Sequence, residues 1–217
     1  MRRAKTTKVV VGTLAASIAF LVLGNVAILV ASKWASSTTE VIRIESIRGI
    51  DNLEAVDSKL WRGGAPSEEG YRNLAAAGTK TIVDLRAEEG VERDNAIVES
   101  LGMRLIRIPV RDGQTPSSSQ IGAFLEATNQ SDGPVFVHCG AGVGRTGAMV
   151  GAYTVASGEL DAGDAVRRNL AVGPPSLEQI AFVAGLDSDD IDRPHVAVRA
   201  VSRVLDSPRR IWHNLGL

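Results

Sequence analysis

Hydrophobic and polar positions divide the chain into three stretches. Residues 9–32 carry no charge, and only Asn25 and a few Ser, Thr and Gly interrupt a 24-residue apolar run. As a helix rising ~1.5 Å per residue, the run is roughly 36 Å long, enough to cross a ~30 Å hydrocarbon core with some tilt. It exceeds the ~7–15 apolar residues of a secretion signal, and Lys33 and Trp34 fall among the small residues around Ala31 to Ala35 that a cleavage site would use. An uncleaved transmembrane helix over 9–32 is the expectation, ahead of a cleaved signal or a buried core helix. Residues 33–56 mix polar and apolar positions, with weak alternation from Val41 to Ile47. They read as a juxtamembrane linker able to add an edge strand.

Past residue 56, runs of β pattern alternate with segments of helical period. The pattern predicts strands at 59–62, 80–85, 104–110 and 134–137, and helices at 67–77, 88–101, 117–130, 146–157, 161–171 and 176–186. Gly63-Gly64 closes the first strand, Gly78 and Gly102 end helices, and Ser117-x-x-Gln120 is a capping box. This order implies an α/β layered domain with a short, mainly parallel central sheet flanked by helices. We place it at 57–188, followed by a tail at 189–217. The tail region begins acidic (Asp187, Asp189, Asp190, Asp192) and turns basic, with partial helical spacing at 196–205 and then Arg209, Arg210, Trp212 and His213. A solvated terminal helix is the plainer reading; a membrane-surface contact is the sharper one, since Arg and Trp suit an interface.

Composition narrows the class. The 217 residues are 44% hydrophobic, with 24 basic and 25 acidic side chains and a net charge of −1. Wholesale disorder is excluded, and there is no global case for a nucleic-acid partner. One cysteine makes no internal disulfide and is too few for a Cys-based zinc site. Four cations, Arg2, Arg3, Lys5 and Lys8, fill the basic segment 1–8, leaving −5 for the rest. That asymmetry predicts a cytoplasmic N-terminus and an extracytoplasmic remainder. A thiol outside faces oxidants with no second cysteine to trap a reversible disulfide, which argues for the opposite orientation. The charge bias weighs more, because it acts directly on insertion.

The most specific stretch is 135–147, V-F-V-H-C-G-A-G-V-G-R-T-G. Cys139 ends a strand, Arg145 follows six residues on, and Thr146 opens a helix. Gly140, Gly142 and Gly144 let the backbone curl so that successive N–H groups, Ala141 and Val143 included, point inward. The helix adds its positive dipole end, and Arg145 a planar fork for two phosphate oxygens. The same field favours a thiolate, a nucleophile aimed at phosphorus. A buried structural Cys before an ordinary Gly-rich turn is the bland alternative. A nucleotide-binding Walker loop is rejected, because Cys139 stands at its first Gly position and Arg145 at its Lys.

The motif H-C-x-x-G-x-x-R-T resembles the active-site loop of the Cys-based protein tyrosine phosphatase superfamily. L-W-R-G-G-A-P at 60–66 and T-K-T-I-V-D-L-R at 79–86 are similar to the opening of compact bacterial and atypical dual-specificity phosphatases, so the resemblance covers about 57–185. It implies a protein-tyrosine-phosphatase-like fold and a phosphocysteine mechanism without metal or cofactor. It also implies an Asp acid on a loop about thirty residues before the Cys. Asp112, 27 residues upstream in I-P-V-R-D-G-Q-T-P, fits best. Asp84 in D-L-R reads as structural support, and Asp132 as a turn former before Gly133. Thr146 is a donor to the sulfur, or a helix N-cap, or both. His138 resembles the family His that orients the loop by hydrogen bonding. Gln179 lies where relatives place a water-positioning residue, but Ser176-x-x-Gln179 is also a capping box, and that reading is preferred.

Relatives acting on phosphoinositides carry Lys inside the loop, where this chain has Gly140 and Val143. That favours a singly phosphorylated side chain of a protein, or a small phosphomonoester, as substrate. Phosphotyrosine and phosphoserine/threonine both stay open. The alternatives from other classes are a non-catalytic phosphate-binding module and a rhodanese-type sulfurtransferase, which also uses a loop Cys.

Overall fold

The computed structural model describes residues 2–87, 92–187 and 194–208. The acidic residues Asp189, Asp190 and Asp192 and the basic end Arg209, Arg210, Trp212 and His213 lie outside them, as do the side chains of Arg2, Arg3, Lys5 and Lys8. Thirteen elements run α1 (Arg2–Thr38), β1 (Glu54–Ala55), β2 (Leu60–Gly63), α2 (Glu68–Ala76), β3 (Thr81–Arg86), α3 (Glu92–Ser100), β4 (Arg104–Val110), α4 (Ser118–Gln130), β5 (Val135–His138), α5 (Gly144–Ala156), α6 (Ala162–Val172), α7 (Leu177–Ala184) and α8 (Val196–Leu205). The first four residues expected in α3, 88–91, are also outside the described set.

Local chemistry sets the element ends. Ser67 accepts from the Gly70 amide to start α2, Asp161 accepts from Asp164 to start α6, and capping boxes open α4 and α7. The sheet order is β1-β2-β5-β3-β4, with β2, β5, β3 and β4 parallel and β1 antiparallel at one edge. Helices cover both faces, so β5 is buried along its length and carries no polar face. Alternation splits its neighbours: Val83, Leu85, Val135 and Val137 pack with Phe124, Met149 and Phe182, while Ile82 and Phe136 pack with Tyr71, Leu74 and Val98. The four parallel strands end on the same edge, at Gly63, Arg86, Val110 and His138. In such sheets that edge is where sites form.

The segment 33–56 holds more structure than a linker. α1 continues to Thr38 and buries Ala35. Leu53, Glu54 and Val56 are buried around β1, whereas the alternating stretch 41–47 contributes an isolated bridge, Arg43 to Glu54, and Ile44, Ile47 and Ile50 pack on the core. Among the described residues, the stretch long and apolar enough to cross a membrane is Ala15–Thr38, with 6% of its window buried. That exposure removes the core-helix alternative. One face of α1 nevertheless docks on the domain. Asn25, the polar interruption of the run, donates from Nδ2 to the Leu205 carbonyl of α8 at 3.1 Å, and the Ser32 hydroxyl donates to the Leu170 carbonyl of α6 at 2.8 Å.

Candidate active site

Cys139 follows the central strand and is 3% exposed. The loop after it is held by its carbonyls. The Gly140 carbonyl accepts from the Ala65 amide at 2.8 Å, and the Ala141 carbonyl from Asn52 Nδ2 at 2.9 Å. Arg62 Nη2 donates to the Gly142 carbonyl at 2.7 Å and reaches that of Val143 at 3.4 Å. In a trans peptide the N–H points opposite the C=O. Four carbonyls drawn outward therefore turn the amides of Ala141, Gly142, Val143 and Gly144 the other way, into the loop. Gly142 has φ +75°, and a Cβ there would strike the backbone of Gly63 and Gly64, so glycine is required. The result is an anion-binding nest at the N-terminus of α5.

Arg62 is itself fully buried in this support. Glu54 approaches its Nε at 3.8 Å, and Arg168 joins Glu54 at 2.7 Å while also donating to the Ala55 and Val56 carbonyls. Burial pulls the Arg62 guanidinium below its ordinary value, and Glu54 opposes that. Asn169 Oδ1 accepts from Arg62 at 3.3 Å and packs against Gly147, where no side chain fits.

Arg145 lies in the first turn of α5 and is 5% exposed. Its Nη1 donates to the Val110 carbonyl at 3.2 Å, and its Nη2 is 3.3 Å from Asp112 Oδ1. Asp112 is on the loop between β4 and α4, with 60% of its side chain exposed. Cys139, Arg145 and Asp112 thus converge on the C-terminal edge of the sheet. Asp132 precedes β5 and lies at the opposite edge. Asp84 is buried, with both carboxylate oxygens engaged by Arg86. It serves the structural role the D-L-R element suggested.

His138 is completely buried, stacked on Phe136 at 5.6 Å, and its Nδ1–H donates to the Cys139 carbonyl at 3.1 Å. Burial pushes the imidazole below its ordinary value, against the pull of Asp84 and of that carbonyl. Thr146 is buried, and its hydroxyl has no hydrogen-bond partner. It is the third residue of α5, whose N-cap is Val143 with no side-chain bond, so the N-capping alternative for Thr146 fails. Gln179 does form the capping box, but it also does more. Its side chain packs against Gly144, and its Nε2 donates to the Gln114 carbonyl at 3.0 Å.

Sequence reasoning did not find the braces: Asn52, Arg62 and the reach of Ser176, whose hydroxyl donates to the Gly113 carbonyl at 3.0 Å. Only Arg62 left a signal, a charged residue at an interior position of a β run.

Residues 32–194 match the family model described as DSP-PTPase phosphatase fused to NAD+ kinase. The chain is 41% identical over 107 residues to probable NAD kinase 2, chloroplastic, of Oryza sativa subsp. japonica, an alignment covering 46% of this chain and 10% of that protein. It is 33% identical over 103 residues to the tyrosine-protein phosphatase CDC14 homolog of Schizosaccharomyces pombe, covering 42% and 19%. The chain thus spans only a small part of the length of these relatives. The fold is similar to the core catalytic domain of the PP-IP phosphatase SIW14 from S. cerevisiae, solved with citrate (TM-score 0.56, 22% identity, 70% of this chain and 91% of that one). It is also similar to P. aeruginosa TpbA solved with pTyr (TM-score 0.53, 19% identity, 76% and 94%).

Proposed function

The chain belongs to the DSP-PTPase family whose model it matches over residues 32–194, and on that premise we propose that it is a membrane-anchored, Cys-dependent phosphatase of phosphomonoesters. The observation that carries the reading is the convergence of Cys139, the turned-in loop amides and the Arg145–Asp112 pair at 3.3 Å. In the first step Cys139 Sγ attacks phosphorus, the P–O ester bond breaks, and Asp112 gives a proton to the leaving oxygen. The amides of residues 141–144 and the Arg145 guanidinium hold the phosphoryl oxygens as charge shifts among them. The incoming phosphoryl group competes with Asp112 for Arg145. In the second step Asp112 takes a proton from water, the oxygen attacks phosphorus, and the S–P bond breaks. The Thr146 hydroxyl, buried and without a partner, is available to the departing thiolate.

Arg145 is the sole formal charge within the loop sequence, with Gly140 and Val143 where further cations would stand. This favours phosphotyrosine or phosphoserine/threonine proteins, or small phosphomonoesters, over polyanionic inositols. The apolar helix is the anchor, through residues 9–32, with the N-terminus cytoplasmic and the catalytic domain outside.

The test is hydrolysis of para-nitrophenyl phosphate by the full chain in detergent with EDTA. Turnover that disappears in Cys139→Ser, with thermal unfolding retained, supports the reading; unchanged turnover in that variant sinks it. Phosphopeptide binding without hydrolysis would instead identify a binding module, and sulfur transfer from thiosulfate a sulfurtransferase. Pull-down with the trapped Cys139→Ser chain then identifies the substrate.

A further inference from the structure

The loop that carries Asp112 is secured at both ends, and in its middle the Gln114 amide closes a turn on the Arg111 carbonyl at 3.1 Å. At its start, Gln120 Nε2 donates to the Pro109 carbonyl at 2.6 Å. At its end, Thr115 and Pro116 are buried, and Ser117 caps α4. Between them Asp112 is largely exposed, and Gly113, at φ +71°, is a residue with wide backbone freedom. The pairing with Arg145 cannot hold Asp112 during turnover, because the phosphoryl group needs the same guanidinium. A hold on the loop's backbone then helps to keep the carboxyl over the leaving group.

The turn that opens α7 supplies it. The Ser176 hydroxyl donates to the Gly113 carbonyl at 3.0 Å while accepting from the Gln179 amide at 3.2 Å. Gln179 Nε2 donates to the Gln114 carbonyl at 3.0 Å while its Oε1 accepts from the Ser176 amide at 2.9 Å. Ser176 and Gln179 are each 2% exposed, so both donors are shielded from bulk water. Gln179 also packs on Gly144, the first residue of α5. One capping box therefore binds the two carbonyls that follow Asp112 and rests on the helix that carries Arg145. We infer that Ser176, with Gln179 beside it, is a positioning residue that holds the Asp112 carboxyl in register with the phosphate loop. The inference rests on the acid assignment for Asp112 proposed above.

The Ser176 hydroxyl is engaged by the Gly113 carbonyl and the Gln179 amide, so its effect on turnover passes through the loop that delivers the proton. Loss of the tether lets Asp112 drift, and a misplacement of about 1 Å can cost up to ~10²-fold in rate. The cost falls on substrates whose leaving oxygen needs a proton and spares those whose leaving group departs as a stable anion. Ser176→Asp is the decisive variant. Aspartate caps a helix as well as serine but offers no hydroxyl donor to the Gly113 carbonyl. Ser176→Thr keeps both functions.

The experiment measures kcat and KM of the full chain in detergent with phenyl phosphate and with 2,4-dinitrophenyl phosphate. It compares Ser176→Asp, Ser176→Thr, Asp112→Asn and the double variant Ser176→Asp/Asp112→Asn, with thermal unfolding of each. For Ser176→Asp we expect a loss in kcat of roughly tenfold on phenyl phosphate. Dinitrophenyl phosphate turnover and KM of the folded variant should change by less than about twofold, its unfolding temperature should fall because a carboxylate is buried against a carbonyl, and Ser176→Thr should retain the wild-type rate. In the double variant Ser176→Asp should add nothing to Asp112→Asn. An equal loss on both substrates, or none on either, overturns the positioning role while Asp112→Asn still shows its own leaving-group dependence. A uniform loss in Asp112→Asn overturns the acid assignment first, and the positioning with it.

Discussion

Asp112 and His138 stand at opposite extremes of solvent access, and their expected behaviour under perturbation follows from that. Asp112, exposed at the mouth of the site, contributes little to packing. Asp112→Asn should therefore leave unfolding unchanged while lowering kcat by roughly 10²–10⁴-fold on substrates with poor leaving groups. A leaving-group series measured with both proteins checks this. His138 has no solvent contact, and burial holds its imidazole below the ordinary value, so the folded chain keeps it neutral. The unfolded chain takes up a proton near pH 6.5, so the unfolded state binds more protons below that point. Stability should fall as pH drops from 7.5 to 5.5, by up to about 1.4 kcal/mol per pH unit for this one group. For Asp84, burial is the largest single influence and raises its carboxyl, but the Arg86 hydrogen bonds and charge oppose it and the carboxyl is held low. Its contribution is present above about pH 4 and lost only as pH falls through the depressed value, so the two windows separate. Thermal melts across pH 7.5–5.5 test the His138 window, and a flat profile would contradict it.

Two elements depend on contacts with distant partners. β2 carries Arg62 beneath the phosphate loop, where it meets Glu54 and two loop carbonyls. Glu54 keeps Arg168 at 2.7 Å when Arg62 is removed, but the loop carbonyls lose their buried donor, which costs about 1–3 kcal/mol. Arg62→Ala should show that loss in denaturant midpoint, and it should weaken binding of phosphate and vanadate because the loop amides lose their alignment. The second case is α1. Its Ala35 is completely buried, whereas Val30 on the other side is 62% exposed. Overpacking a filled contact costs about 1–3 kcal/mol. Ala35→Leu should lower the melting temperature in detergent by several degrees, and Val30→Leu should leave it in place. Equal effects would mean that the α1 contact carries no stability.

At the scale of the whole molecule, one continuous helix joins the candidate membrane span to the domain. With the cations of residues 1–8 kept in the cytoplasm, a C-terminal alkaline phosphatase fusion should be active, and protease added to spheroplasts should digest the domain. A protected domain with an inactive fusion reverses the orientation. What the sequence by itself determined were the features written in contiguous residues. Strand and helix positions follow from periods of 2 and 3.6, because backbone pitch decides which side chains share a face. The loop of the candidate site was legible for the same reason: Cys139, the three glycines and Arg145 lie within seven residues, so their geometry is local. The tertiary structure alone decided which remote groups serve that loop. Arg62 reaches Gly142 across 80 positions, Asn52 reaches Ala141 across 89, and Ser176 reaches Gly113 across 63. Nor did the run 9–32 reveal that Asn25 bonds α8, or residues 33–56 that Leu53 and Val56 belong to the core. These contacts exist because the strands assemble in the order β1-β2-β5-β3-β4, setting the last strand in the chain between the second and third. Hydrophobic period records how a segment meets the core, but it carries no record of which segment lies beside it.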